Sequence, residues 1–413
     1  DEVRIFGKVL SPEEAAVLAT AESVTDIAQL PEEERSAAQS NKLRLSFLNQ
    51  YAPKSIRGAY NRIQNLELER KGLWDSYPTL MVMQEMTPRR ETFRLIRGAY
   101  DNPGEPVSPD VPAVLPPMPE GIEKNRLSFA RWLMDPENPL TARVTVNRYW
   151  QSYFGTGLVQ SVDNFGVQGE FPSHPELLDW LATEFIDKGW NVKEMQRLIV
   201  TSATYRQSSK VSPDLLERDP ENRLLARATR VRLPAQVIRD QALSISGLLT
   251  EKLGGPSVGP YQPDGLWDDI VERGQEYKLS EGEDLYRRSL YTFWKRTRPA
   301  PSMITFDSST RETHILLPSR TNTPLQALNL MNDVTYAEAA RALAQSTMLR
   351  GRNLEENLGH MYRTATAREA TADVHSILAT AFNQNFDRYR ADRSSALQLV
   401  SAGASLRNET LDI

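Results

Sequence analysis

The spacing of apolar positions divides the chain into stretches of different character. Val3 and Ile5 alternate with Glu2 and Arg4, the period of a half-buried strand, and Gly7 ends the run. Ser11-Pro12-Glu13-Glu14 then reads as a helix start, with Ser11 as cap, Pro12 at the first helical position and Glu14 completing a capping box. From about 31 to 73 the chain is charged and helical in period: Leu43, Phe47 and Tyr51 share one face, and Ile63, Leu66 and Arg70 continue the spacing after Pro53. A helical hairpin is predicted. Leu80, Val82 and Met83, then Thr92, Phe93, Leu95 and Ile96, predict two short strands. Residues 101–121 hold seven prolines, so an extended strap rather than a regular element is expected.

Beyond residue 125 the pattern is helical with clear punctuation. Asn138-Pro139 opens a helix that Gly155 can end. Ser173 with Glu176, and Asn191 with Glu194, form capping boxes, and Gly189 serves as a C-cap between them. Val192, Met195, Leu198 and Ile199 make one apolar face. A further helix is expected over 234–249, closed by Gly254-Gly255, then a turn-rich loop over 261–267 and a strand over 289–294. Thr323 and Gln326 form a fourth cap signature, and Asp333 caps a helix running through about Ala344. Helical period continues to about Ser401, and no closing signal is legible in SLRNETLDI, so truncation at the C-terminus is expected. The predicted fold class is mainly α: a multi-helix domain with a few short strands and long irregular loops, after a β remnant and a helical linker.

Composition narrows the function classes. Apolar residues make up 40% and charged residues 25% of the 413, enough for a large packed core. The balance of 49 basic and 54 acidic side chains, net charge −5, argues against a dedicated nucleic-acid binder. With no cysteine, this chain has no disulfide, thiolate metal site or covalent haem attachment. No apolar run is long enough to span a bilayer. No metalloprotease, phosphate-loop, nucleophile-elbow or dinucleotide fingerprint is present.

The first residues resemble the last strand and closing helix of concanavalin-like, laminin-G-type jelly rolls. The run LSFARWLMDPENPLTARVTVNRYWQSYFGTGLVQSVDNFGVQGEFPSHPELLDWLATEFIDKGWNVKEMQRLIVTSATYRQSS and the run SRTNTPLQALNLMND closely resemble the planctomycete-type PSD-one family, a cytochrome-c-associated domain of unknown function. RLPAQVIRDQAL and YQPDGLW fit the same pattern. The resemblance divides the chain into a jelly-roll tail over 1–30, a helical linker over 31–78 and the PSD-one domain over 79–413. It implies a large exported bacterial protein, periplasmic or extracellular, whose other domains are the first expected partners. No cofactor is implied within this chain, and haem would belong to another domain. Relatives usually carry a cysteine after Arg311-Glu312-Thr313; here His314 stands there, and Leu317-Pro318 replaces an arginine-rich pair.

Candidate chemistry falls in three places. On the helix after Asn138, Leu140, Val144, Trp150 and Phe154 share one face, with Asn147 in its middle and Arg143 at its margin, beside Arg148. A buried amide needs partners, so Asn147 is either a structural tie or a pocket floor. In NFGVQGEFPSHPE, Asp163, Asn164, Glu170 and His174 crowd a short loop. His174 is the candidate acid–base group, with Asp163 or Glu170 to orient it, weighed against a place in the first helical turn, the commoner reason for a histidine there. The histidines show no metal spacing, and no metal site is assigned. Arginines recur at 206, 227, 230, 232, 296, 298, 311 and 320, with Tyr291, Phe293 and Trp294 interleaved. Arg206, Arg320 and Asn322 are candidates for binding a carbohydrate or sulfated glycan, weighed against internal carboxylate pairs as the commoner use of arginine. Two function classes stay open: an accessory binding module in an electron-transfer or polysaccharide-processing protein, and a carbohydrate-directed oxidoreductase or hydrolase domain with a polar pocket around His174.

Overall fold

A computed structural model describes residues 12–267 and 277–411. The strand expected at Val3 and Ile5, and the Ser11 cap, lie outside the described residues. The chain forms two compact units, 1–108 and 109–413. Mainly helical architecture, as the period indicates, holds throughout: the described residues contain seventeen α-helices and one two-stranded sheet.

In the first unit, α1 (Pro12–Ala19), α2 (Val24–Gln29) and α3 (Ala37–Ser46) surround Ile27, which is fully buried. Ser36 and Gln39 form a reciprocal capping box at the start of α3. Two cations close the preceding helices: Lys42 Nζ donates to the Thr20 and Glu22 carbonyls, each at 2.8 Å, and Arg35 donates to the Ile27 and Leu30 carbonyls. Helix C-termini leave such carbonyls unpaired, so cations are favoured there. A π-helical turn (Phe47–Tyr51) and Pro53 lead into α4 (Lys54–Ser76), 23 residues with none buried.

The strand expectations need correction. Leu80, Val82 and Met83 are irregular and exposed, whereas β1 (Thr92–Leu95) pairs antiparallel with β2 (Pro103–Val107), inside the stretch read as a strap. Proline is tolerated there because both strands of a two-stranded ribbon are edges, with one row of N–H groups unused. The rest of the strap is irregular, and the Pro116 carbonyl accepts from Trp132 Nε1 at 2.7 Å.

The second unit opens with α5 (Arg126–Leu133), capped by Asn125, whose Oδ1 accepts the N–H groups of Leu127 and Ser128. The core then forms from α6 (Thr141–Phe154), α7 (Pro175–Asp187) and α8 (Val192–Thr201). Val146, Trp150 and Phe154 pack with Leu178, Leu181, Phe185, Met195 and Ile199. Asn138 does initiate α6, its Oδ1 accepting from Leu140 and Thr141 N–H, and Gly155 ends it at φ +83°. Leu140 and Val144, however, are not buried; the buried face is Ala142, Val146, Asn147, Trp150 and Phe154. Ser173 does not cap α7: His174 holds the N-cap position with no side-chain cap bond, and Pro175 begins the helix.

After α9 (Ala203–Arg206) and α10 (Pro213–Arg218), a second core gathers around α11 (Ala235–Ser246), α12 (Pro301–Thr305), α13 (Pro324–Asn332) and α14 (Val334–Met348), with Ala235, Ala300, Met303, Phe306 and Tyr336 in contact. Helix α11 stops at Gly247, left-handed at φ +79°, before the glycine pair expected to close it. The strand expected over 289–294 is instead a 3-10 turn (Ser289–Tyr291) and one isolated bridge from Val258 to Thr292. Local bonds decide this: Asp240 accepts the Ser289 N–H at 2.7 Å, and buried Arg239 donates to the Arg287 and Leu285 carbonyls, each at 2.9 Å. Helices α15 (Leu354–Thr366), α16 (Ala372–Ala391) and α17 (Arg393–Val400) follow. The residues after α17 return to α14, where buried Glu338 accepts from Tyr261, Tyr286 and the Ser405 N–H.

Candidate functional site

The turn after α6, residues 155–159, is tied down carbonyl by carbonyl. Asn147 is fully buried and addresses both polar groups of Val159, donating to its carbonyl at 3.0 Å and accepting its N–H at 2.9 Å. Arg223 donates to the carbonyls of Gly157 (3.1 Å) and Leu158 (3.3 Å), and the Ser173 N–H also reaches Leu158 O, at 2.8 Å. Arg320 donates to Gly155 O at 3.3 Å. Two glycines make this possible. A Cβ at Gly157 would stand 2.6 Å from both Asn147 Nδ2 and Val159 O, and one at Gly155 would stand 2.9 Å from the Arg320 guanidinium.

Two cavities share Arg320, and the smaller of them is lined by this turn. The smaller, about 130 Å³, is lined by Gly155, Gly157, Asn222, Arg223 and Thr229 among others; the Thr229 hydroxyl is buried and has no hydrogen-bond partner. The larger, about 200 Å³, is lined by Arg232, Gln236, Asp307, Ser308, Arg311 and Arg320 among others. Asp307 is the one carboxylate of the larger lining, and it is engaged. It forms an ion pair with Arg232 and accepts both the N–H (2.7 Å) and the hydroxyl (2.8 Å) of Thr321. Burial alone would raise the Asp307 carboxyl, but the two Thr321 bonds and the Arg232 guanidinium outweigh it and hold it below the ordinary carboxylate range. Arg232 is itself filled, donating also to the carbonyls of Thr321 and Phe306.

Arg311 and Arg320 remain. Both are exposed and neither meets a carboxylate among the described residues. Arg311 lies over the Trp294 ring, 4.8 Å from its centroid. Arg320 is held below its ordinary value by partial desolvation and then by neighbouring Arg232, yet a guanidinium stays protonated across physiological pH. The larger cavity therefore presents two protonated forks with donors to spare, the arrangement that receives sulfate or carboxylate oxygens.

His174, Asp163, Glu170, Asn164, Arg143, Arg148, Arg206 and Asn322 line neither cavity. His174 Nδ1 stands 3.0 Å from Ser173 Oγ, while Asp163 and Glu170 are exposed and bond neither to the ring nor to each other. Asn164 folds its own loop, accepting the Gly166 N–H at 2.9 Å, while its carbonyl accepts from Ser161. Arg143 is paired with Asp179 at 2.6 Å, and Arg148, Arg206 and Asn322 are exposed. Of the eight recurring arginines, Arg232 alone meets a carboxylate among the described residues. Arg227 is spent on the carbonyls of Asp219 and Pro220, so internal carboxylate pairing is not their main use. Among those residues no cluster of three or more histidine, aspartate or glutamate side chains is placed to hold a metal ion, and no helix is long and apolar enough to cross a membrane. Reasoning from sequence singled out Arg320 but left Asp307, Thr321 and Thr229 aside. The adjacency of Thr321 to Arg320 was the available signal.

Residues 125–382, more than half of the chain, match the family PSD1, described as a protein of unknown function (DUF1553). The chain belongs to the PSD1 family. The match begins at the Asn125 cap of α5 and runs into α16, so it contains the α6 turn and both cavities that share Arg320. No curated protein and no solved structure matches the chain. The PSD1 assignment brings no reaction with it, and any function rests on the cleft.

Proposed function

We propose that this PSD1 domain is an accessory binding module whose cleft takes the anionic group of a polysaccharide, a sulfate or a uronate carboxylate. The observation that carries this reading is the pair Arg311 and Arg320, two exposed guanidinium groups lining one cavity whose single carboxylate is already engaged by Arg232 and Thr321. The Thr229 hydroxyl in the adjoining cavity offers a further polar contact for a sugar hydroxyl. The setting we propose is a larger exported bacterial protein, with a laminin-G-type neighbour before this region and haem-bearing or polysaccharide-processing domains elsewhere. That setting rests on the family resemblance of the long motifs, while the ligand class rests on charge.

Calorimetric titration with sulfated, uronic and neutral oligosaccharides of matched length tests the reading. The expected result is binding of the anionic probes alone, weakened by salt and lowered at least tenfold in Arg311→Ala/Arg320→Ala, since a charge-assisted bidentate contact contributes about 1.5–3 kcal/mol. Equal binding of neutral probes, or unchanged affinity in the double variant, overturns it.

A further inference from the structure

Helix α4 exposes a seam that the other described residues leave uncovered. Ile56, Ala59, Ile63, Leu66, Arg70, Leu73 and Tyr77 follow one another at alternating steps of three and four, the 3.5-residue period of a coiled-coil seam. Each is exposed, and Ile63, Leu66 and Leu73 are each more than half exposed. The helix is about 34 Å long at 1.5 Å per residue. Gly58 and Gly72 lie in its interior with open space where a Cβ would stand, so no close backbone approach explains them and they weaken the helix. A helix of this composition draws its stability from packing rather than propensity.

We propose that α4 pairs antiparallel with α4 of a second copy of this chain, independently of the anion-binding reading. The sequence of the seam is self-complementary in that orientation. With Ile63 opposite Leu66 of the second copy, Ile56 falls opposite Leu73 and Ala59 opposite Arg70. Ile56, Ile63, Leu66 and Leu73 then each meet another large apolar residue, and the long Arg70 side chain crosses over a methyl group and reaches water. The flanking charges agree: Arg62 faces Glu69 of the second copy, twice by symmetry, and Tyr60 faces Glu67. Arg62, Glu69 and Arg70 have no ion pair within the described chain, so these charges are free to pair across the seam. A parallel pairing sets Arg70 against Arg70 and Ala59 against Ala59, a like-charge contact in one layer and a gap in another. The contact is isologous, the same face on both copies, as a closed two-fold dimer requires.

The absence of cysteine makes the orientation directly readable. Ile56→Cys and Leu73→Cys chains are prepared separately, mixed and mildly oxidised. The expected product is the mixed disulfide, with little from either variant alone. An Ile56→Cys homodisulfide in preference to the mixed one overturns the antiparallel register, and failure of the mixed pair together with a monomer in sedimentation at tens of micromolar overturns the dimer. Charge reversal provides a second measurement that leaves the fold intact by circular dichroism. Arg62→Glu or Glu69→Arg alone should weaken the dimer about tenfold, and the double variant should restore it to within about twofold, because each single change turns two attractions into two repulsions. Singles that leave the dissociation constant unchanged overturn the proposal.

Discussion

Asn147 and Arg320 both reach the five-residue turn after α6, and they are polar in different ways. Asn147 is fully buried, and Val159 occupies both ends of its amide. Arg320 gives one nitrogen to Gly155 O at 3.3 Å and leaves the rest of its fork at the mouth of a cleft. A buried amide with every bond made has nothing left for a ligand, and its worth lies in fixing the turn. A half-used guanidinium keeps donors available. The difference is between a residue that builds the cleft and one that serves it, and it separates the consequences of mutation.

The largest expected effect is on stability and falls on the closed side. Asn147→Ala leaves the Val159 N–H and C=O buried without partners, which costs about 1–3 kcal/mol for each unsatisfied group, so a loss near 3 kcal/mol is expected. Thermal denaturation reads this directly, and anion binding should fall with it because Arg320 is braced on the Gly155 carbonyl of the same turn. Lost binding with unchanged melting would place Asn147 in direct contact with ligand and end its structural assignment. Gly157→Ala should follow at about 1–3 kcal/mol, since the added methyl meets the Asn147 amide and the Val159 carbonyl at 2.6 Å and either the amide or the turn must shift. On the open side the order reverses. Arg311→Ala/Arg320→Ala should change stability by less than about 1 kcal/mol, the scale of exposed electrostatic contacts, while removing anion binding. A large drop in melting temperature for that double variant would make Arg320 one more tie to the turn and erase the contrast.

The sequence anticipates these two residues unequally. Asn147 stands out because an amide at helical spacing among Leu140, Val144, Trp150 and Phe154 must find partners, although the apolar residues buried on its face include Val146 in place of Leu140 and Val144. Capping patterns are readable for the same local reason: Asn191 and Asp333 each accept the N–H groups within reach of their own side chains. Ser173 shows the limit, since Pro175 and His174 shift the helix start by one residue and leave the expected cap outside it. The strand expected over 289–294 fails because Asp240, some fifty residues earlier, claims the Ser289 N–H, while Arg239 holds the Leu285 and Arg287 carbonyls just before it. The cleft has the same character. Asp307, Thr321 and Arg232 are distant in sequence, and nothing in local spacing says that Arg232 takes the carboxylate and leaves Arg311 and Arg320 without one. The arginine count suggests anion recognition; only the pairing decides which arginines remain for it.

That pairing gives the smallest and sharpest expected effect, through pH. The folded-state Asp307 carboxyl is held below its unfolded value of about 3.9 by Thr321 and Arg232 against the opposing effect of burial. A group depressed in this direction contributes stability that is fully present above the unfolded value and lost as pH falls through the folded one. Melting temperature should therefore show no Asp307 contribution to its slope between pH 5 and 7, and the wild-type excess over Asp307→Asn should shrink only below about pH 4. Affinity should move the other way. Protonating Asp307 releases Arg232 from its carboxylate and adds a third available guanidinium to the cavity, so a sulfated probe, still ionised at that pH, should bind more tightly as pH falls below about 4 while the fold persists. A uronate probe loses its own charge in the same range and should bind more weakly. Opposite slopes for the two probes, abolished in Asp307→Asn, would show that the closed Arg232–Asp307 pair sets how much charge the open arginines present. Parallel slopes would mean that the latch and the ligand do not share the cleft.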